Sequence, residues 1–144
     1  MKENESDVQS LADQLHALAI HVLRDARQHD PEAGLPPMQL SALSVLVFVG
    51  PQPLSKLAAA EQVSAPTMHT TVDALSKKGL VKRARDKRDR RVVYVVATRS
   101  GNETLQRARA KRLGTIRAKL DQLPSTELSA IEASLKSLAN LYAK

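Results

Sequence analysis

Apolar residues recur every three or four positions near both ends of the chain. Near the start the repeat comprises Val8, Leu11, Leu15, Leu18 and Val22. This spacing places the apolar side chains on one face of a helix. We expect that helix to run from about Ser6 to about Gln28 and to stop before Asp30-Pro31. The segment PEAGLPP that follows predicts a turn-rich connector.

The same spacing returns after Thr98. One run comprises Leu113, Ile116, Leu120 and Leu123; beyond a break at Pro124-Ser125, a second comprises Leu128, Ile131, Leu135, Leu138 and Tyr142. We therefore expect two more helices, with Thr98 or Ser100 as the N-cap of the first. Outer helices so few and so long cannot bury their apolar faces within one subunit. A bundle completed by a second copy, hence a homodimer, is expected.

The central pattern is one of short elements. A helix is expected from about Met38 to Val49, and another around Leu54, Leu57 and Ala58. After a tight turn, Ser64 is a good N-cap for a helix with Pro66 in its first turn. Its buried stripe would be Met68, Val72 and Leu75, and Gly79 is a natural residue just past its end. Two short helices, a strand, a charged turn and a second strand predict a winged helix-turn-helix.

Positive charge is concentrated in the turn of this module. The chain has 22 Lys and Arg against 15 Asp and Glu, a net charge of +7. Val81 to Arg91 alone holds seven bases and two acids, which is +5. A patch this basic indicates a polyanion partner, DNA or RNA before a membrane. The VVYVVA run that follows favours a folded hairpin over the alternative, a disordered basic loop.

The rest of the composition narrows the function classes. There is no cysteine, which excludes disulfides and thiolate metal sites. The polar N-terminus does not resemble a signal peptide, and the apolar run Val45–Val49 is too short to cross a bilayer. The histidines form no metalloprotease motif and the glycines no phosphate-cradling loop. We expect a soluble, cytoplasmic protein that is not an enzyme, needs no cofactor and does not bind membranes.

The run VSAPTMHTTVDALSKKGLVKRARDKRDRRVVYVVATRSG resembles the MarR family of bacterial transcription regulators. The resemblance covers nearly the whole chain, and its most specific element is Asp89-x-Arg91 followed by Ala97-Thr98 and Gly101. It implies a mainly α fold with a small β-hairpin wing. A winged helix-turn-helix domain would span residues 37–99, and residues 1–36 and 100–144 would form the helical dimerisation bundle. The implied function is transcription regulation, with repression favoured, by a homodimer on pseudo-palindromic double-stranded DNA. The alternative is an architectural protein that binds DNA without a preferred sequence.

The resemblance also implies roles for the wing. Asp89 would brace it, pairing with Arg91 or another nearby arginine, and Arg88 or Arg90 would enter a minor groove. An arginine on a β-wing suits a narrow, A·T-rich groove, where the negative potential is enhanced. The candidate DNA-contacting residues of the wing are Arg85, Lys87, Arg88, Arg90 and Arg91.

The helix from Ala65 to Lys78 is the predicted major-groove reader. Its candidate contacts are Ser64, Ala65, Thr67, His69, Thr70 and Thr71, which we place on an exposed face near its start. Thr70 occupies a position where the family often has arginine, so bidentate guanine recognition is not available there. The alternative for His69 is that it is a surface residue with no role in DNA binding. Ser55, Lys56 and Lys77 are candidate backbone contacts, with solvated charge as the alternative for the lysine at 77.

Ligand sensing is a further implication of the resemblance. Many relatives bind small aromatic or phenolic acids where the dimerisation helices meet the winged module. In this chain the corresponding residues would be His16, Ile20, Arg24, Met38 and Phe48. The alternative is that His16 and Met38 pack at a helix interface.

Overall fold

Helices account for most of the chain. The structure is a computed structural model that describes residues 2–143, with the side chains of residues 2–6, 29, 32 and 33 outside that description. The elements in chain order are α1 (Lys2–Ala26), a 3₁₀ helix (Arg27–Ala33), α2 (Pro37–Phe48), β1 (Gln52–Pro53), α3 (Leu54–Ala60), α4 (Ala65–Lys77), β2 (Val81–Arg85), β3 (Val93–Ala97), α5 (Arg99–Leu120) and α6 (Ser125–Tyr142). The predicted fold class, mainly α with a small β wing, is confirmed.

The chain divides into two compact units. The central unit spans Gln28–Lys111, and the other contains the residues up to Arg27 and from Arg112 onward. The predicted outer segments, residues 1–36 and 100–144, include residues 1 and 144, which lie outside the described residues. These domain boundaries stay a prediction.

The core of the central unit is aliphatic, and its largest side chains come from four elements. Its largest fully buried side chains are Leu43, Leu57, Met68, Leu75, Val72 and Val95, from α2, α3, α4 and β3. Burying a side chain of this size contributes about 1.5–3 kcal/mol. Because three of the six belong to α4, this core fixes which face of α4 points inward.

The three strands form one antiparallel sheet in the order β1-β3-β2. The β2–β3 hairpin runs from the pair Val81↔Ala97 to the pair Arg85↔Val93, as the sequence predicted. The short strand β1 on the other side of β3, with Gln52 opposite Val95, was not predicted. Two residues, one of them proline, give no alternating pattern, and proline is tolerated here because β1 is an edge strand.

The connector after α1 is more regular than predicted. Helix α1 ends at Ala26, and the chain continues as a 3₁₀ helix that includes Pro31. The Gly34 N–H donates to the Pro31 carbonyl at 3.1 Å, and Gly34 has φ +68°. Short 3₁₀ segments are common at helix ends. The first part of the predicted connector, residues 31–33, is therefore 3₁₀-helical, and residues 34–36 form the turn and irregular backbone that lead into α2.

A hydrogen-bonded clamp joins the base of the wing to the start of α5. The Thr98 N–H donates to the Leu80 carbonyl at 2.9 Å, and the Thr98 hydroxyl donates to the Gly79 carbonyl at 2.7 Å. The same hydroxyl accepts from the Gly101 N–H at 3.0 Å. Thr98, rather than Ser100, therefore caps α5. Gly79 has φ +72°, as expected just past the end of α4.

The unit of outer helices exposes much of its apolar face. On α1, the side chains of Val8, Leu11 and Leu18 are exposed, Leu11 to 64%. On α6, Leu135, Leu141 and Tyr142 are exposed, Leu141 to 79%. Lys119 on α5 and Asp25 on α1 form an ion pair of 3.3 Å within this unit. Among the helices the structure describes, none combines the length and apolar character needed to cross a membrane.

Candidate nucleic-acid interface

Helix α4 begins with a side-chain cap. The Ser64 hydroxyl accepts a hydrogen bond from the Thr67 N–H at 3.3 Å and lies 2.8 Å from the Thr67 hydroxyl. A serine cap of this kind stabilises a helix by about 1 kcal/mol. The cap fixes the first turn of α4, so the side chains of that turn have a defined direction.

The outward face of α4 carries five of the six predicted reader residues. The side chains of Ser64, Ala65, Thr67, His69 and Thr70 are exposed. The Thr70 hydroxyl donates to the Pro66 carbonyl at 3.1 Å, which leaves its oxygen as an acceptor. This face offers hydroxyl, methyl and imidazole groups suited to contacts with base edges.

The placement of Thr71 on that exposed face is wrong. Its side chain is only 8% exposed, and its hydroxyl donates to the Thr67 carbonyl at 3.0 Å. Positions 68, 71, 72 and 75 share one helical face because they are spaced by three and four. Thr71 completes the buried stripe, with its hydroxyl satisfied inside the helix.

The residues predicted to contact the DNA backbone lie at the start of α3 and at the end of α4. Ser55 and Lys56 are exposed in the first turn of α3, and Lys77 is exposed at the end of α4. Their contacts with a DNA backbone stay a prediction. Lys78 instead has partners within the unit, because its ammonium donates to the Gly34 carbonyl at 3.1 Å and to Gln39 Oε1 at 2.9 Å.

Asp86 organises the loop at the tip of the wing. Its N–H donates to the Val92 carbonyl at 2.9 Å, extending the hairpin beyond the last strand pair. Its Oδ1 accepts from the N–H groups of Arg88 and Asp89, at 2.6 and 3.0 Å. These two hydrogen bonds hold the pKa of the Asp86 carboxyl below its ordinary value of 3.8, and the one from Asp89 has the larger effect. Asp86 was not singled out from the sequence, although an aspartate that accepts from N–H groups two and three residues on is a common turn device.

Acid is expected to loosen this loop. Since the pKa of Asp86 is lower in the folded protein, its stabilising effect is present above pH 3.8 and is lost as the pH falls through the lower folded value. We expect the amide signals of Arg88 and Asp89, followed by NMR from about pH 5 to about pH 2.5, to shift together with an apparent pKa below 3.8. Asp86→Asn keeps an acceptor that does not titrate, so it should abolish this step. An identical step in the variant would contradict the assignment.

The bases of the wing tip point to solvent. Arg85, Lys87, Arg88, Arg90 and Arg91 are all exposed. Asp89 does not make the predicted pair with a guanidinium; in the described residues its Oδ1 accepts from the Arg91 backbone N–H at 3.0 Å. The Asp89 carbonyl accepts from the Val92 N–H at 3.0 Å. Asp89 thus shapes the loop backbone, and the arginine side chains stay available to a ligand.

An ionic contact that the sequence analysis missed joins α4 to the wing. The Arg83 guanidinium on β2 donates to Asp73 Oδ1 on α4 at 2.7 Å. The other oxygen, Oδ2, lies 3.5 Å from His69 Nε2. The Arg83 hydrogen bond is the main reason that the pKa of the Asp73 carboxyl is lowered. The only sequence signal was an acid on a helix predicted to face a polyanion.

The residues predicted to bind a small ligand are divided between the two units. His16, Ile20 and Arg24 lie on α1 with exposed side chains. In the central unit, Met38 packs against the core, and the exposed Phe48 ring has the Arg109 guanidinium 5.9 Å from its centre. A pocket formed by these five residues stays a prediction.

Comparison with known proteins agrees with this architecture. The sequence model of the MarR family matches residues 35–93. An HTH-type transcriptional regulator of Mycobacterium bovis is 30% identical over 86% of this chain and 87% of its own. The regulator YkoM of Bacillus subtilis is 30% identical over 60% of this chain, but the match spans only 54% of its length.

Solved structures give the same result. The transcriptional regulator Tm0710 of Thermotoga maritima superposes with a TM-score of 0.82 and 26% identity, over 92% of this chain and 94% of its own. A point mutant of S. aureus MepR, solved bound to an oligodeoxyribonucleotide, has a TM-score of 0.69 and 18% identity, over 92% of this chain and 98% of its own.

A capped helix with an exposed polar face, beside a hairpin with a basic tip, defines a winged helix-turn-helix protein of the DNA-binding class. The chain belongs to the MarR family of transcription regulators. The expectations that it is a regulator and not an enzyme are thereby confirmed.

Proposed function

We propose that this protein regulates transcription as a homodimer that binds a pseudo-palindromic operator in double-stranded DNA. The start of α4 would enter the major groove, and the wing tip between β2 and β3 would enter the flanking minor groove. The observation that carries the proposal is the arrangement of the central unit. The reader residues of α4 and the arginines of the wing are exposed in one compact body whose buried core fixes α4. A mutant of MepR, which shares the fold, has been solved with an oligodeoxyribonucleotide bound.

The exposed apolar faces of the outer helices support the homodimer. Covering side chains such as Leu11, Leu18 and Leu135, which are 58–64% exposed, would contribute at most about 1.5–3 kcal/mol each, before the costs of association. A two-fold dimer presents two α4 helices, so half-sites about one helical turn apart, roughly 10 bp, are expected.

Selection from a random pool of duplex DNA by the purified protein tests this proposal. A palindromic consensus is the expected result, and sedimentation should give twice the monomer mass at micromolar concentration. A chain that enriches no sequence would be an architectural DNA-binding protein instead. A monomer in sedimentation would contradict the two-half-site arrangement.

Repression relieved by a small ligand is the simplest regulatory scheme for such a dimer. A ligand that favours a spacing of the two α4 helices unsuited to the operator must itself bind more weakly when DNA is present. Small aromatic carboxylates, benzoate for example, are the probes we propose. The ligand prediction is supported if they lower operator affinity and if operator DNA lowers their affinity by the same factor.

A further inference from the structure

We propose that Asp73 is a positioning residue for DNA recognition, which sets the angle between α4 and the wing by pairing with Arg83. The inference rests on the proposed function, because it concerns how the two DNA-reading elements are held relative to each other. The residue lies one helical turn beyond His69 on α4 and is absent from the predicted contacts.

The geometry of the pair is that of a strong, directed contact. The Arg83 guanidinium and Asp73 Oδ1 are 2.7 Å apart, a distance typical of charge-assisted hydrogen bonds. Arg83 stands opposite Val95 at the centre of the β2–β3 ladder, and Val95 is part of the buried core. The contact therefore joins the middle of α4 to the rigid middle of the wing.

The charge of Asp73 is unusual for its position. Asp73 is the only acid in α4, its side chain is 43% exposed, and phosphate repels a carboxylate on a DNA-facing helix. The Arg83 hydrogen bond holds the pKa of Asp73 below its usual range, so the carboxylate stays ionised at neutral pH. The Asp73 carboxylate repels phosphate, so we infer that it favours DNA binding through its pair with Arg83, which holds the wing in place.

A small change of angle at the Asp73–Arg83 pair moves the wing tip by several ångströms. Arg88 is five residues beyond Arg83, at most about 16 Å of extended chain. A tilt of about 10° at Arg83 would then move the tip by about 3 Å, roughly half the ~6 Å width of the minor groove. A small change of angle is enough to misplace an arginine that must enter that groove while α4 stays in the major groove.

His69 adds a second link to the same carboxylate. Its Nε2 lies 3.5 Å from Asp73 Oδ2, and its ring is on the outward face of α4. Asp73 thus has one oxygen beside a predicted base contact and the other on the wing strand. Removing the negative charge of Asp73 weakens both contacts.

The test is the sign of the effect of Asp73→Asn on binding to the site that the wild-type protein selects. Simple electrostatics predicts tighter binding, since a negative charge is removed from a surface that meets phosphate. Positioning predicts weaker binding, by about tenfold at the selected site. Affinity for bulk DNA of unrelated sequence should be unchanged or higher. Both are measured by fluorescence anisotropy at one fixed salt concentration, with thermal unfolding of each variant to establish that it is folded.

Two further variants make the test specific. Glu103→Gln removes the same charge from an Arg99–Glu103 pair of 2.9 Å within α5 and should leave the affinity ratio of selected to bulk DNA unchanged. In an Arg83→Gln background the pair is already broken, so adding Asp73→Asn should cause a much smaller loss, limited to the contact with His69.

The outcomes separate the inference from the proposed function. If the wild-type protein prefers no site, the proposed function is wrong and the inference falls with it. If the wild type prefers a site that Asp73→Asn binds equally or more tightly, only the positioning role is wrong. Equal losses from Asp73→Asn with and without Arg83 would likewise overturn it, because the effect would then not depend on the pair.

Discussion

Replacing Gly101 with alanine is expected to lower the free energy of unfolding by about 3 kcal/mol. A Cβ at this position would lie 2.1 Å from the Leu80 carbonyl oxygen and 3.2 Å from Leu43 Cδ1. The closer neighbour is backbone, so a side-chain rotation cannot relieve the clash. The Leu80 carbonyl is also held by the Thr98 N–H, so moving it disturbs the clamp between the wing and α5.

Gly114 provides a matched control in the same helix. A Cβ at Gly114 would meet nothing within 4 Å, so Gly114→Ala should stabilise the protein by about 0.5–1 kcal/mol, the ordinary gain for a helix interior. Chemical denaturation monitored by circular dichroism measures both variants. Two changes of the same sign and size would show that helix propensity, rather than the approach of Leu80, governs position 101.

The local elements of this protein could be predicted because their signals are local. Ser64 precedes a helix at the distance from Thr67 that a cap requires, and Gly79 follows that helix in the left-handed conformation that glycine adopts most easily. The basic turn between two strand-forming segments predicted the β2–β3 hairpin. The spacing of Met68, Val72 and Leu75 gave the buried face of α4, and extending that stripe to Thr71 would have excluded the threonine from the reader face.

The contacts between elements could not be predicted in the same way. Asp73 and Arg83 meet because of the angle at which β2 passes α4, and no periodicity in the sequence encodes that angle. The strand β1 exists only because Gln52 falls beside β3. In the wing, Asp89 was singled out because it stands between arginines in the sequence. The loop is held mainly by Asp86, three residues earlier. Side-chain hydrogen bonds to backbone N–H groups depend on loop geometry, which composition does not reveal.

Replacing both Arg88 and Arg90 with alanine is expected to weaken binding to the selected site by about 100-fold or more near physiological salt. A homodimer would lose four positive charges at the two wing tips. If all four neutralise phosphate charge, the slope of log affinity against log salt should fall by up to about 3.6. Titrations at several salt concentrations measure the affinity and the slope together.

A control for charge alone comes from the outer helices. Arg117→Ala with Lys136→Ala removes the same charge from residues that pair with an acid four positions away, Arg117 with Asp121 at 3.6 Å and Lys136 with Glu132 at 2.8 Å. This double variant should change affinity less than about threefold. An equal loss in both double variants would mean that net charge, and not the wing, governs binding.

The single variants then identify the arginine that enters the groove. Narrow A·T-rich minor grooves attract an inserted arginine more strongly than G·C-rich grooves do. The groove-entering residue should therefore lose more affinity on a selected site with A·T-rich flanks than on the same site with G·C-rich flanks. A residue that only contacts phosphate should lose the same on both. In the structure both Arg88 and Arg90 are exposed, and the backbone N–H of Arg88 donates to Asp86 Oδ1, which orients the Arg88 backbone. We therefore expect Arg88→Ala to show the flank dependence, and dependence confined to Arg90→Ala would reverse this assignment.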